Sequence, residues 1–212
     1  VRAEARESIA RSTPGVTAAD DLPSLARAAG VVIAMLPDSA VVRSAVIGSA
    51  KAGGLIGGLA AGALIVDMSS SFPLDTQTLG AELATRDIGL VDAPVSGGVP
   101  KAVSGTLAIM AGGDSAHIDR AEPVLQAMGT VHRTGGLGSG HAMKALNNYV
   151  SAAGLIAAAE ALLIGQRFGL DGHVMTKVLN ASTGKNNTTE NKVERYMLNG
   201  AFNSGFALAL ME

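Results

Sequence analysis

The stretch ALIVDMSSSFPLDTQTLGAELATRDIGLVDAPV, residues 63–95, decides the fold of this chain. Its first six residues, ALIVDM, are apolar except for Asp67, and such a run is typical of a strand buried on both faces of a sheet. The turn SSSFP, a helical segment over residues 73–87 and a second apolar run, GLVDAPV, follow. Strand, helix and strand in this order are the unit from which parallel sheets are built. We therefore predict an α/β fold with helices on both faces of a parallel sheet.

The same alternation continues on both sides of this stretch. Further strands are predicted at VVIAML (31–36), TLAIMAGG (106–113) and TVHRTG (130–135). Helices are predicted over residues 3–12, 22–29, 39–50 and 115–129, and beyond Gly138 only helical patterns remain, over 139–168, 171–182 and 190–199. The chain is thus predicted to contain a sheet domain, residues 1–137, and a helical domain, residues 138–212, that begins with the long helix.

Composition excludes several classes of function. The 212 residues carry 16 Lys+Arg against 18 Asp+Glu, a formal net charge of -2, so no basic excess is available for a nucleic acid. The absence of cysteine excludes disulfides, thiolate nucleophiles and sulfur-ligated metals. The first 15 residues hold no apolar segment of the kind a secretory signal needs, and we expect a cytoplasmic protein.

The most apolar segment, YVSAAGLIAAAEALLIG at residues 149–165, is interrupted by Ser151 and Glu160. A membrane span needs about 20 consecutive apolar residues. The segment is therefore predicted to be a helix buried in protein, with no membrane partner.

Two glycine-rich motifs could carry chemistry. In DAPVSGGVPKAVSGTLAIMAGG, residues 92–113, paired glycines after a strand let consecutive N–H groups converge on a carboxylate or phosphate, with the Ser96 hydroxyl as a further donor. A plain tight turn is the alternative.

In GLGSGHAMKALNN, residues 136–148, a glycine-rich turn enters a helix on which His141, Lys144 and Asn148 share one face. The alternative is a lysine that extends to solvent.

Other polar residues give weaker signals. Asp67 and Asp92 lie at the ends of predicted strands and are expected to orient loops or cap the following helix; an acid or base role is the alternative. The remaining histidines are too scattered for a local metal motif. No phosphate-binding G-x-x-x-x-G-K-[ST], zinc-protease H-E-x-x-H or hydrolase G-x-S-x-G motif is present.

Five segments together resemble the β-hydroxyacid dehydrogenase family, which includes 3-hydroxyisobutyrate dehydrogenase and tartronate semialdehyde reductase. They are MLPD (35–38), DMSSSFP (67–73), DAPVSGG (92–98), GTLAIMAGG (105–113) and GSGHAMKALNN (138–148). The family is related to 6-phosphogluconate dehydrogenase. The resemblance implies a Rossmann-type NAD(P)-binding domain with a parallel sheet, a long interdomain helix and a helical C-terminal domain.

The resemblance also implies roles for individual residues. Lys144 matches the catalytic lysine and Asn148 the asparagine that orients the substrate. Substrate-binding positions fall on Ser96, Gly97 and Gly98, and cofactor-binding positions on Leu36, Pro37 and Ser70. Ser70 stands where the family usually has threonine, which keeps the hydroxyl. Lys185, Asn186 and Asn187 match a region near the family's active site, although a solvated loop explains them equally well.

The chain departs from the family at both ends. The family opens with a strand and a G-x-G-x-x-G turn for the cofactor pyrophosphate, and this turn is missing here. We therefore expect a first βαβ portion of roughly 30 residues before Val1 and further helices after Glu212. Arg2 lies near the position that distinguishes NAD from NADP in the family, and it favours NADP.

The implied activity is reversible hydride transfer between a nicotinamide and a small 3-hydroxy acid or semialdehyde, with Lys144 as acid and base. Two rival functions remain open. A non-catalytic oligomerisation or interaction module would fit the missing glycine turn but needs neither Lys144 nor Asn148. An imine or succinic semialdehyde reductase on the same fold would often have another residue in place of Lys144. We also expect a homo-oligomer, since the Ala-rich long helix suits a dimer interface.

Overall fold

The computed structural model describes residues 3–49 and 52–204. The chain divides into two compact units, Val1–Lys144 and Ala145–Glu212. The boundary between the two units falls inside one long helix, seven residues after the predicted domain boundary. Each unit is described by itself.

The first unit contains all strands of the described residues. In chain order its elements are α1 (Ala3–Ser12), α2 (Leu22–Arg27), β1 (Val31–Ala34), α3 (Ser39–Ile47), β2 (Gly48–Ser49), β3 (Ala52–Gly53), a 3-10 turn (Leu55–Gly57), β4 (Leu64–Asp67), α4 (Pro73–Ala84), β5 (Gly89–Asp92), β6 (Val95–Ser96), α5 (Gly98–Val103), β7 (Leu107–Gly113), α6 (Ser115–Gln126) and β8 (Gly129–Gly135). The long helix α7 (Ser139–Arg167) begins in this unit.

Strands β1, β4 and β5 lie side by side and run parallel. Their register aligns Ala34 with Asp67 and Asp67 with Asp92, so the carboxyl ends of the three strands meet at one edge. This edge is where ligands bind in open α/β sheets. The prediction of strands at these three apolar runs is confirmed.

The sheet is mixed, whereas the sequence predicted a parallel one. Strand β7 runs antiparallel to both β5 and β6, and β8 runs parallel to β7. A parallel neighbour needs a crossover that packs on the sheet face, usually a helix. Strands β5 and β6 both run antiparallel to β7, so the chain keeps its direction past Pro94. It reverses only after Ser96, through α5 and the turn that follows, before it enters β7.

Two apolar clusters form the core, one on each face of the sheet. Alternate residues of a strand point to opposite faces, so Leu64 and Val66 belong to one cluster and Ile65 to the other. Helix α6 covers the first cluster through Ile118, Ala121 and Leu125. Helices α3 and α4 cover the second through Val42, Val46, Leu79 and Leu83. Helices therefore cover both faces, as predicted.

Local signals explain where the elements end. β5 ends at Asp92, earlier than predicted, because Pro94 has no N–H to donate. Helix α3 ends at Ile47, three residues before the predicted end, where Gly48 adopts a positive φ of 101°. Asp38 caps the other end of this helix by accepting the N–H of Val41 at 2.9 Å.

The second unit is helical in its described residues. It holds the rest of α7, then α8 (Gly172–Asn180), α9 (Asn187–Asn191) and a π-helical turn (Val193–Met197). The helix predicted over residues 190–199 is thus split in two. Asp171 caps α8, and Asn186 caps α9 by accepting the N–H groups of Thr188 and Thr189.

Helix α7 is long and apolar enough to cross a membrane by length and composition alone, a test that core helices of soluble proteins also pass. Only 17% of its most apolar window is buried among the described residues, so the predicted burial of this segment is not observed there. Its large exposed apolar side chains are Met143, Leu146, Tyr149, Val150, Ile156, Leu163 and Ile164.

The first turn of α7 approaches the sheet so closely that only glycine fits at residue 140. A Cβ atom on Gly140 would overlap the carbonyl oxygen of Met110 and lie 2.9 Å from that of Asp92. We predict that Gly140→Ala lowers the free energy of unfolding by about 1–3 kcal/mol, the usual cost of overpacking. Urea denaturation of the purified protein measures the change.

Gly136 is the matched control, because a Cβ there meets nothing within 4 Å. Gly136→Ala is expected to leave the unfolding midpoint within experimental error of the wild type. Equal midpoints for the two variants would contradict the close approach of α7 to the sheet.

Candidate active site

Asp67, at the carboxyl end of β4, organises the loop that follows it. Its side chain is 2% exposed and accepts the backbone N–H of Ser69 at 2.9 Å and the hydroxyl of Ser71 at 2.8 Å. The expectation that Asp67 orients its own loop agrees with these bonds. The loop after β4 is thereby fixed at the ligand-binding edge of the sheet.

Asp92, at the carboxyl end of β5, caps the long helix α7. Its fully buried carboxylate accepts the backbone N–H groups of Gly138 and His141, each at 2.8 Å. The first N–H groups of a helix have no partner within the helix, and a negative charge is favourable there. The sequence suggested a cap on the following helix. The structure shows instead a cap on a helix 46 residues further along the chain, and α5 has no side-chain cap.

His141 lies between the two carboxylates and is 1% exposed. Its ring nitrogens are 3.8 Å from an oxygen of Asp67 and 3.7 Å from one of Asp92. Nδ1 hydrogen-bonds the hydroxyl of Thr76 at 2.8 Å, and Nε2 lies 3.2 Å from the carbonyl oxygen of Ser69. Because a carbonyl oxygen only accepts, Nε2 is the protonated nitrogen of this bond.

Lys144 lies one helical turn after His141. Its Nζ donates a hydrogen bond of 2.7 Å to the carbonyl oxygen of Val95, in β6. Partial burial lowers the pKa of the Lys144 ammonium from its ordinary value, because desolvation disfavours the charged form. The lysine is therefore held beside the strand that leads into the Ser96-Gly97-Gly98 loop.

That loop has the backbone shape that its glycines allow. Gly97 and Gly98 have positive φ values of 137° and 66°, which side chains with a Cβ rarely adopt. A Cβ on Gly97 would also lie 2.5 Å from Cδ of Lys101, whose stem covers this part of the loop. Ser96 and both glycines are at least partly exposed, so their polar groups are accessible to a ligand.

The three predicted cofactor contacts lie after β1 and β4, at the same edge of the sheet. Pro37 and Ser70 are exposed, and Leu36 is partly buried. The hydroxyl that joins the two loops belongs to Ser69, which accepts the N–H of Leu36 at 2.9 Å. Sequence reasoning missed Ser69, because nothing in the run SSS distinguishes the buried serine from its neighbours.

The other predicted site residues lie in the second unit. Asn148 follows Lys144 by one turn of α7 and is partly buried. Lys185 pairs with Glu190 at 2.9 Å, and Asn186 caps α9, so both have structural partners. Asn187 is the first residue of α9. Arg2 lies outside the described residues.

A cavity of about 350 Å³ opens between α3 and α4. It shares Asp67 and Thr76 with the network around His141 but does not contain Lys144 or Ser96. Among residues 3–49 and 52–204, no group of three or more His, Asp or Glu side chains could hold a metal ion.

Comparison with known proteins identifies what this arrangement is similar to. Residues 1–138 match the family model described as the NAD binding domain of 6-phosphogluconate dehydrogenase. Residues 138–212 match the model described as NAD-binding of NADP-dependent 3-hydroxyisobutyrate dehydrogenase. The two models meet at the residue before α7.

Individual relatives match over most of the chain. The chain is 34% identical to 2-(hydroxymethyl)glutarate dehydrogenase of Eubacterium barkeri, and the match covers 92% of this chain and 64% of the relative. It is 35% identical to 3-sulfolactaldehyde reductase of Escherichia coli K12, and that match covers 89% of this chain and 64% of the relative. The solved structure of Mycobacterium tuberculosis 3-hydroxyisobutyrate dehydrogenase with L-serine superposes with a TM-score of 0.85 at 32% identity (98% and 71%). The chain thus spans 64% of the length of these two curated relatives.

Removal of the Asp92 carboxylate tests whether it holds α7. We predict that Asp92→Ala lowers the free energy of unfolding by about 2–6 kcal/mol, because two buried N–H groups lose their acceptor. Asp114→Ala is the control, since Asp114 caps α6 at an exposed position and its loss costs about 1 kcal/mol. Chemical denaturation that gave the same loss for both variants would refute the special role of Asp92.

Proposed function

The chain belongs to the β-hydroxyacid dehydrogenase family, and we propose that the protein is an NAD(P)-dependent oxidoreductase acting on a small 3-hydroxy acid or the corresponding semialdehyde. The observation that carries this proposal is Lys144: its partly buried amine is held at Val95, next to the Ser96-Gly97-Gly98 loop. The relatives reported above are named for small hydroxy acids or a small aldehyde, which supports the substrate class.

NAD or NADP is the cofactor, in keeping with the two NAD-binding domain models that the chain matches. The residues at the carboxyl edge of β1 and β4 fit such a group, because exposed Pro37 offers an apolar surface and exposed Ser70 a hydroxyl. We propose that Leu36, Pro37 and Ser70 hold it. When bound, the nicotinamide supplies the hydride chemistry. The preference of Arg2 for NADP stays a prediction.

Lys144 is proposed to move the proton. In the direction of oxidation its neutral amine accepts the proton of the substrate hydroxyl at Nζ, and in the direction of reduction its ammonium returns one to the carbonyl oxygen. A lysine with an ordinary pKa is almost fully charged near neutrality, so the lowered pKa favours this role. A scaffold would not need a desolvated charge at this position, since its burial costs free energy.

The Ser96-Gly97-Gly98 loop is proposed to bind the substrate carboxylate. Its glycine backbone and the Ser96 hydroxyl provide donors, and the nearby Lys144 adds positive charge. Asn148, one turn further along α7, is proposed to orient the substrate hydroxyl. With carboxylate and hydroxyl both held, the reacting carbon is oriented, which supplies part of the rate acceleration.

Three further proposals concern the whole protein. The domain boundary is proposed at residues 137/138, where the two family models meet. A homo-oligomer is proposed because α7 exposes large apolar side chains among the described residues, and sedimentation of the full-length protein would reveal it. The protein is proposed to be cytoplasmic.

Replacement of Lys144 tests the proposed chemistry. In the full-length protein with cofactor, Lys144→Met is expected to lower kcat by about 10²–10⁴, the usual contribution of a general acid or base. The cofactor Kd, measured by quenching of nicotinamide fluorescence, is expected to stay within about threefold of the wild-type value.

Lys177→Met on α8 is the control, because this lysine is exposed and outside the proposed site. Near-normal turnover of Lys144→Met would contradict the assignment, and wild-type protein without saturable quenching would favour a scaffold.

The pH profile of the wild-type enzyme gives a second measure of the same group. Oxidation needs the neutral amine, so kcat/KM is expected to rise with pH to a plateau with a midpoint below 10.5, the ordinary value of a lysine, because burial lowers the Lys144 pKa. Reduction needs the ammonium and is expected to fall over the same range. A midpoint at or above 10.5 would argue against Lys144 as the base.

A further inference from the structure

A chain of hydrogen bonds connects the loop after β1 to the helix that carries Lys144. The N–H of Leu36 donates to the hydroxyl of Ser69, and the carbonyl of Ser69 accepts from Nε2 of His141. His141 is three residues before Lys144 in α7. One buried imidazole therefore links the proposed cofactor loop to the helical turn that carries the proposed catalytic amine.

Both ring nitrogens of His141 have a hydrogen-bond partner. Thr76 hydrogen-bonds Nδ1 from α4, Ser69 accepts from Nε2, and the backbone N–H of His141 itself donates to Asp92. The two titratable groups that face the ring are Asp67 and Asp92, both buried. A ring bonded both to α4 and to the loop after β4 has little freedom to rotate or shift.

Close packing alone does not require a hydrogen-bonded histidine at position 141. An apolar side chain would fill the same space without desolvating an imidazole next to two carboxylates. Two directional bonds from a ring fix position more closely than apolar contacts do, because hydrogen bonds weaken steeply with angle. The polar ring therefore specifies where the first turn of α7 lies relative to α4 and the loop after β4.

We propose that His141 is a positioning residue for catalysis, which holds Lys144 at Val95 and keeps that position coupled to the cofactor loop through Ser69. This inference rests on the proposed function of Lys144. His141 itself contacts neither substrate nor cofactor. Its effect is exerted through the geometry of α7 and of the loop that contains Ser69.

The test uses three substitutions and one control. His141→Phe removes both ring hydrogen bonds and keeps an aromatic ring. His141→Gln keeps an amide N–H that reaches about as far as Nε2, so it is the conservative variant. Thr76→Val removes only the bond to Nδ1. His132→Phe on β8 is the control, because His132 is exposed and outside the network.

The first readout needs no enzymatic activity. The pH dependence of Lys144 labelling by an amine-selective reagent, followed by peptide mass spectrometry, reports the Lys144 pKa in the cofactor-free protein. In His141→Phe the midpoint is expected to move toward 10.5, because a displaced lysine is better solvated. His141→Gln is expected to lie close to the wild type, Thr76→Val in between, and His132→Phe at the wild-type midpoint.

The second readout is kinetic. His141→Phe is expected to lower kcat about tenfold, the equivalent of one to two lost hydrogen bonds, while KM for the hydroxy acid changes less than twofold. His141→Gln is expected to recover most of kcat. The cofactor Kd is expected to rise severalfold in His141→Phe, because Ser69 no longer has a partner on α7.

Unchanged labelling midpoint and unchanged kcat in folded His141→Phe would overturn the proposal. If His141→Phe does not fold, Thr76→Val and His141→Gln decide, and wild-type values for Thr76→Val in both readouts would overturn it as well. Loss of kcat with an unshifted labelling midpoint would also count against it. If the wild-type protein lacked dehydrogenase activity, a shifted midpoint would support the positioning role and overturn only the proposed function.

Discussion

The bond between the Asp92 carboxylate and the first turn of α7 is the interaction on which the rest of the site depends. The Asp92 carboxylate, at the end of a central strand, accepts two backbone N–H groups at the start of α7, those of Gly138 and His141, which lie 46 and 49 residues later. This cap fixes the start of α7 at the ligand-binding edge of the sheet, and Gly140 permits the close approach. Once the start of the helix is fixed, Lys144 one turn later meets Val95.

The site contains buried polar groups, whose desolvation lowers the free energy of unfolding. Asp67, Asp92 and His141 are almost completely buried, with each carboxylate within 4 Å of the imidazole, and Lys144 is partly desolvated. Each group is compensated by hydrogen bonds, as buried polar networks require. The lowered pKa of the Lys144 ammonium in a defined place is the property that the proposed proton transfer needs.

Much of the fold could be predicted from the sequence, because the signals for it are local. Apolar runs such as ALIVDM gave the strands, and capping residues such as Asp38 and glycines such as Gly48 marked helix ends. The direction of β7 could not be predicted, since it depends on the reversal of the chain between Ser96 and Leu107 and on the pairing of β7 with both β5 and β6. The predicted burial of α7 is not observed among the described residues, because apolar composition says nothing about which surface covers a helix.

The sequence by itself determined most of the strands and helices, the glycine turns, and Lys144 and the Ser96-Gly97-Gly98 loop as candidate site residues. Only the tertiary structure decided the partners: Asp92 with the start of α7, Ser69 with Leu36 and His141, and Lys144 with Val95. The physical reason is the distance along the chain over which each signal acts. Periodicity, capping and turn propensity act over a few residues, whereas a buried hydrogen bond between residues 33 to 72 positions apart depends on how the sheet and helices pack.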